Sequence, residues 1–165
     1  MDWLPDELSL LTSSLEDDYA SLYAVFEHDF VDAEIYFDNC KVYYQKAIDN
    51  KTPGQYPHGF THLVTKENGG QRIIDYDRAA KLPWVRAIIE HADDPSVIVL
   101  NNQERSAKRG LREVTYLWLE EKDFLVVLSR ISHGEYDGKI IITAYTITES
   151  YKIKQLKQLK KRLLG

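Results

Sequence analysis

The sequence predicts an α+β fold, with N-terminal helices packed on a mainly antiparallel four- to five-stranded sheet and a C-terminal helix. Three observations predict it. Over residues 6–30 the apolar side chains Leu8, Leu11, Leu15, Leu22, Tyr23 and Phe26 recur at helical spacing. Residues 111–148 hold three apolar, β-branched and aromatic stretches joined by short polar turns. Residues 149–164 return to helical spacing through Ile153, Leu156, Leu159 and Leu163. Helices first and a run of strands after them argue for α+β rather than alternating βα units.

The elements follow in order. The first helical stretch is one long helix, or two broken near Thr12-Ser13-Ser14. Residues 34–37 and 41–44 flank Asp38-Asn39, a pair that tolerates the positive φ angles of a tight hairpin. Residues 50–59 carry Pro53, Gly54, Pro57 and Gly59 and read as a loop. Asp77 is the expected N-cap of a helix over 78–92, with Pro83 in its first turn or splitting it. Residues 97–100 read as a short buried strand, and 101–110 as a polar, basic loop. Strands over 111–120, 124–130 and 139–148 come next, then the last helix. The expected organisation is an acidic helical segment (1–32), an α+β body (33–148) and a basic C-terminal helix (149–165).

Composition narrows the class. A chain of 165 residues buries roughly 70% of its unfolded surface, so one domain needs no staple. The longest apolar run, 124–128, is far short of the roughly 20 residues of a membrane helix. The start is acidic where an export signal would be basic, and Cys40 is alone, which excludes an internal disulfide and a multi-cysteine zinc site. A cytoplasmic protein with no membrane partner is expected.

The net charge of −5 conceals three zones. Residues 1–40 hold eleven acidic side chains and no Lys or Arg, and residues 149–165 hold six basic ones against Glu149 alone. The head and tail are either solvated faces or lie against each other. A free tail would instead attract a phosphate backbone, with Lys154, Lys157 and Lys161 as the contacts.

Familiar catalytic motifs are missing. Lys66 is followed by Glu67, so Gly69-Gly70 belongs to no Walker loop, and no G-x-S-x-G elbow exists. His58 and His62 are four apart, the spacing of two metal ligands on a helix, but a third ligand is missing and Gly59 argues against a continuous helix. No metal and no cofactor are expected.

Gly59-Phe60-Thr61-His62-Leu63-Val64-Thr65-Lys66-Glu67 is followed by Arg72, Asp75-x-x-Arg78-Ala79-Ala80 and Leu82-Pro83-Trp84. Then come Arg112-x-x-x-Tyr116-Leu117-Trp118-Leu119 and Ile142-Thr143-Ala144-Tyr145. Together, over about residues 30–155, these motifs resemble a family of small phage- and mobile-element-associated proteins placed among the barnase–EndoU–colicin–RelE-like nucleases. The resemblance implies a metal-independent ribonuclease with N-terminal helices leaning on a four-stranded antiparallel sheet.

Metal-free RNA cleavage needs a base for the 2′-hydroxyl, an acid for the leaving oxygen and cations at the phosphorane. His62 suits the proton work, and Lys66, four residues on, is expected on the same face. Alternation places Arg112 and Tyr116 on one sheet face, where they would hold a phosphate and stack a base. Thr143 and Tyr145 share a face opposite Ile142 and Ala144 and would orient the phosphate or base. Arg72, Arg78 and Arg105 are further substrate-binding candidates, Arg78 with Asp75 as its salt-bridge partner. The expected function is an endoribonuclease of toxin or phage-conflict type acting on RNA, with an inhibitor or antitoxin protein as a candidate partner that the sequence leaves open. The alternatives are a non-catalytic RNA- or protein-binding module, and an interaction protein whose acidic head mimics nucleic acid.

Overall fold

The computed structural model describes residues 1–10, 14–108 and 110–165. Residues 1–10 are not helical. They lie along the body as irregular chain, where the Trp84 indole N–H donates to the Pro5 carbonyl at 2.9 Å and the Leu8 amide to the Ala80 carbonyl at 2.8 Å. The helix expected from residue 6 therefore begins only at α1 (Leu15–Phe26). Ser14 sets that start: its side chain accepts the Asp17 amide at 3.1 Å, and Glu16, Asp17 and Asp18 favour the positive end of the helix dipole. Leu11, Thr12 and Ser13, on which the expected break falls, lie outside the described residues.

β1 (Tyr36–Phe37) and β2 (Cys40–Tyr43) form the hairpin, with Asp38 and Asn39 at φ 50° and 62°. A loop leads to α2 (His58–Val64), then the hairpin β3 (Thr65–Asn68) and β4 (Gln71–Ile74). The helical stretch expected over 78–92, in one piece or split at Pro83, is two helices, α3 (Tyr76–Ala80) and α4 (Leu82–Glu90), broken at Lys81 with Pro83 in the first turn of α4. Asp75, not Asp77, is the cap, its side chain accepting the Arg78 amide at 3.2 Å. Four long strands follow, β5 (Val97–Ser106), β6 (Gly110–Leu119), β7 (Phe124–His133) and β8 (Tyr136–Thr146), and then α5 (Ser150–Leu164).

The main sheet has the order β1-β2-β8-β7-β6-β5. It has six strands, more than expected, and it is mixed, because β2 runs parallel to β8 while the other pairs are antiparallel. β5 runs on through Ser106 where a loop was expected. As an edge strand it exposes Asn101, Gln103 and Arg105, and that polarity hides it from a hydrophobicity reading.

Each sheet face is covered by a different layer. Tyr19, Leu22 and Phe26 of α1, Phe60 and Leu63 of α2 and Ile88 of α4 pack with Leu117, Val126 and Ala144 on one side. On the other, Leu156 of α5 packs on Leu100, Tyr116, Trp118 and Leu125, with Ile153 and Leu159 alongside. The sheet thus stands between acidic α1 and basic α5. Among the described residues, no side chain of α5 pairs with the acidic head; Lys160 pairs instead with Glu120 at 3.2 Å. A bulge in β8 shifts the register between Val127↔Thr143 and Leu128↔Ile141. Ile142 therefore packs toward α5 along with Tyr145, a correction to simple alternation, while Ala144 keeps to the other face. No helix among the described residues is long and apolar enough to cross a membrane.

Candidate active site

The loop before α2 folds back on itself: Ile48 bridges Pro57, and the Asp49 amide donates to the Tyr56 carbonyl at 2.9 Å. Its carbonyls then meet the open end of the helix. The His58 amide donates to Ala47 at 2.8 Å and the Gly59 amide to Gln45 at 2.9 Å. A Cβ on residue 59 would lie 2.7 Å from the Tyr44 Cβ and 2.9 Å from the Gln45 backbone nitrogen. Contrary to the expectation from sequence, Gly59 does not break the helix; it is what lets the helix approach the loop so closely.

Phe60, Leu63 and Val64 of α2 face the core, so His58 and His62, one turn apart, share the opposite face. His58 Nδ1 lies 3.3 Å from His62 Nε2. Beside them Asp49 is fully buried, its Oδ2 accepting the Thr61 hydroxyl at 2.7 Å and its Oδ1 the Lys51 amide at 2.9 Å. The same Oδ2 is 3.8 Å from His58 Nδ1. Burial alone would push the Asp49 carboxyl up; the Thr61 and Lys51 hydrogen bonds outweigh it and hold the carboxyl below its usual range. His62 is pushed down to about 4, first by burial, then by Arg72 and His58, with Asp49 opposing. It is a neutral imidazole at physiological pH.

The C-terminal end of α2 is held by cations. Arg78 Nη1 donates to the His62 carbonyl at 3.3 Å and the Thr65 carbonyl at 2.8 Å. Arg72 donates through Nε to the Thr65 hydroxyl at 2.8 Å and through Nη2 to the Thr65 carbonyl at 3.1 Å. From β8 the Thr143 hydroxyl donates to the His62 carbonyl at 3.3 Å. Guanidinia at the negative end of a helix are well placed. The Asp75 salt bridge expected for Arg78 is at its limit, 4.0 Å from Nε, and the short bonds go to carbonyls instead. Nε itself is buried and has no hydrogen-bond acceptor among the described residues. Burial lowers the Arg78 pKa, with Asp75 opposing. The guanidinium stacks over the Tyr145 ring at 5.6 Å, and burial raises the Tyr145 phenol against the pull of Arg78.

A cleft of about 760 Å³ opens beside this arrangement, lined by Lys66, Asp75, Arg78, Tyr145, Tyr151 and Lys152 among others. Of the residues singled out in the sequence, His62, Arg72, Arg78 and Thr143 meet around the end of α2. Tyr145 packs on the α5 side of the sheet and joins them only through the Arg78 guanidinium, a correction to the shared face expected for it. Lys66 reaches the cleft from β3, not from the face of α2, because the helix ends at Val64 between the two positions. Arg112 and Tyr116 stand on β6, with β7 between them and β8. Tyr116 donates its hydroxyl to Glu104 and lies under Lys152 at 5.2 Å. Its phenol is raised by burial and by Glu104. Arg105 is exposed on β5, and Lys154, Lys157 and Lys161 are exposed on α5; none of these is brought to the histidine pair.

Asp49 went unseen in the sequence, since no spacing rule links a Pro/Gly-rich loop to a histidine on the next helix. The His58–His62 interval was the only signal available. No protein-family model, curated protein or solved structure matches the chain.

Proposed function

We propose that the protein is a metal-independent endoribonuclease that cleaves RNA through attack of a ribose 2′-hydroxyl on the adjacent phosphate. The observation that carries this reading is a linked imidazole pair along one face of α2, with two guanidinia bound to the carbonyls at its C-terminal end. His62 takes the 2′-hydroxyl proton as the O2′–P bond forms. The 3.3 Å contact passes a proton to half-exposed His58, which delivers it to the 5′-oxygen as the P–O5′ bond breaks. The products are a 2′,3′-cyclic phosphate and a free 5′-hydroxyl.

Arg78 supplies phosphorane stabilisation through the guanidinium edge not bound to carbonyls, and Lys66 adds charge at the mouth of the cleft. Thr143 acts by position, holding the His62 carbonyl. Arg112, Tyr116 and the α5 lysines then serve the length of the RNA rather than the reacting phosphate. A toxin or phage-conflict role, with an inhibitor protein as partner, accompanies this reading through the motif resemblance alone.

The test is an RNA oligonucleotide beside its 2′-deoxy counterpart. Cutting of the RNA alone is expected. Equal cutting of both would refute 2′-hydroxyl attack. Binding without cutting would leave a binding module, the reading favoured by arginines that already cap a helix.

A further inference from the structure

We propose that Asp49, His58 and His62 form a binding site for a divalent transition metal of the zinc class, and that its occupancy switches the nuclease off. One ligand atom from each of Asp49, His58 and His62 lies within 4.8 Å of the other two. Zinc bonds of about 2.0–2.1 Å place tetrahedral ligand atoms about 3.3 Å apart. The two imidazole nitrogens already stand 3.3 Å apart, and Asp49 Oδ2, 3.8 Å from His58 Nδ1, must close on both.

Two further features fit. The Thr61 hydroxyl donates to that same Oδ2 and the Lys51 amide to Oδ1, fixing the carboxylate as outer hydrogen bonds do at metal centres. The carboxylate is wholly buried, yet among the described residues no lysine or arginine is in ion-pair range of it. A fully desolvated carboxylate facing two imidazoles lacks a cation. Two nitrogens and one oxygen suit Zn²⁺, Co²⁺ or Ni²⁺ rather than Mg²⁺ or Ca²⁺. Half-exposed His58 gives an ion a path in from solvent. Arg72 and Arg78 nearby oppose a cation, which makes the site reversible rather than a permanent structural centre.

The switch rests on the endoribonuclease reading. A metal on these nitrogens occupies both lone pairs, and His62 then has none with which to accept the 2′-hydroxyl proton.

The site is tested without reference to activity. Chelator-treated protein is titrated with Co²⁺, and the visible absorption of tetrahedral Co²⁺ is followed, then displaced by Zn²⁺. One ion per chain is expected, with affinity reduced about tenfold or more in His58→Gln and in Asp49→Asn. Absence of the bands, or binding unchanged in both variants, overturns the site. In a parallel assay, stoichiometric Zn²⁺ should stop RNA cleavage and EDTA should restore it. Undiminished cleavage by the Zn²⁺-loaded protein overturns the switch. A chain that binds Co²⁺ but never cuts RNA refutes the nuclease reading while supporting the site; one that cuts but binds no metal does the reverse.

Discussion

The Thr61 hydroxyl donates a 2.7 Å hydrogen bond to the Asp49 carboxylate across a separation of twelve residues. It fastens the loop before α2 to the helix that carries both histidines. It also removes part of the penalty of burying a carboxylate.

Thr61→Val keeps the shape of the side chain and deletes this donor. A hydrogen bond to a charged group is worth about 1.5–3 kcal/mol, and the carboxylate would be left with the Lys51 amide as its remaining donor. The urea midpoint should fall by the corresponding amount with an unchanged slope. A midpoint equal to wild type would mean that the loop is not held this way.

Gly59→Ala adds a methyl where the Tyr44 Cβ is 2.7 Å away and backbone nitrogen 2.9 Å away. Backbone cannot swing aside as a side-chain tip can, so a loss of about 1–3 kcal/mol is expected. Thermal denaturation measures it. A neutral substitution would show that α2 does not approach the loop so closely.

Acid should weaken the metal-free fold before the carboxylates titrate. His62 takes up a proton near its ordinary 6.5 in the unfolded chain but only at about 4 in the folded one. Between those values the unfolded state binds more protons, so stability rises with pH. In chelator-treated protein, Tm should decline from pH 6.5 towards 4, and His62→Gln should flatten that decline. Equal slopes for the two proteins would show that the fold does not hold His62 neutral.

The basic face of α5 should act on RNA and not on the fold. Lys154, Lys157 and Lys161 are exposed, and the sheet stands between them and the acidic head. Changing all three to Gln should leave Tm alone and reduce the salt slope of RNA binding by roughly 0.7 log units per lost phosphate contact. An unchanged slope with a lowered Tm would make the helix an intramolecular clamp.

What the sequence reveals is local. Asp38-Asn39 announces its hairpin because few residues accept positive φ, and the faces of β6 follow from strict alternation at Val114, Tyr116 and Trp118. What it hides is tertiary. α2 has only seven residues, starts after a proline and contains a glycine whose purpose is contact with Tyr44. Asp49 reaches the histidines through a loop path that no periodicity encodes. The bulge that sends Ile142 towards α5 rests on the pairing of β7 with β8, which neither strand specifies alone. Arg72 and Arg78 read as phosphate ligands by residue type, yet their first partners are the carbonyls at the end of a helix that the sequence does not announce.

The central claim is most directly tested by incubating purified protein with total RNA in excess EDTA and determining the new 3′ ends, for wild type and His62→Ala side by side. The expected result is 2′,3′-cyclic phosphate ends from wild type and none from His62→Ala, with His62→Ala folded by circular dichroism. Cleavage that disappears in EDTA and returns with magnesium or manganese, or a His62→Ala protein that cuts at the wild-type rate, would contradict it.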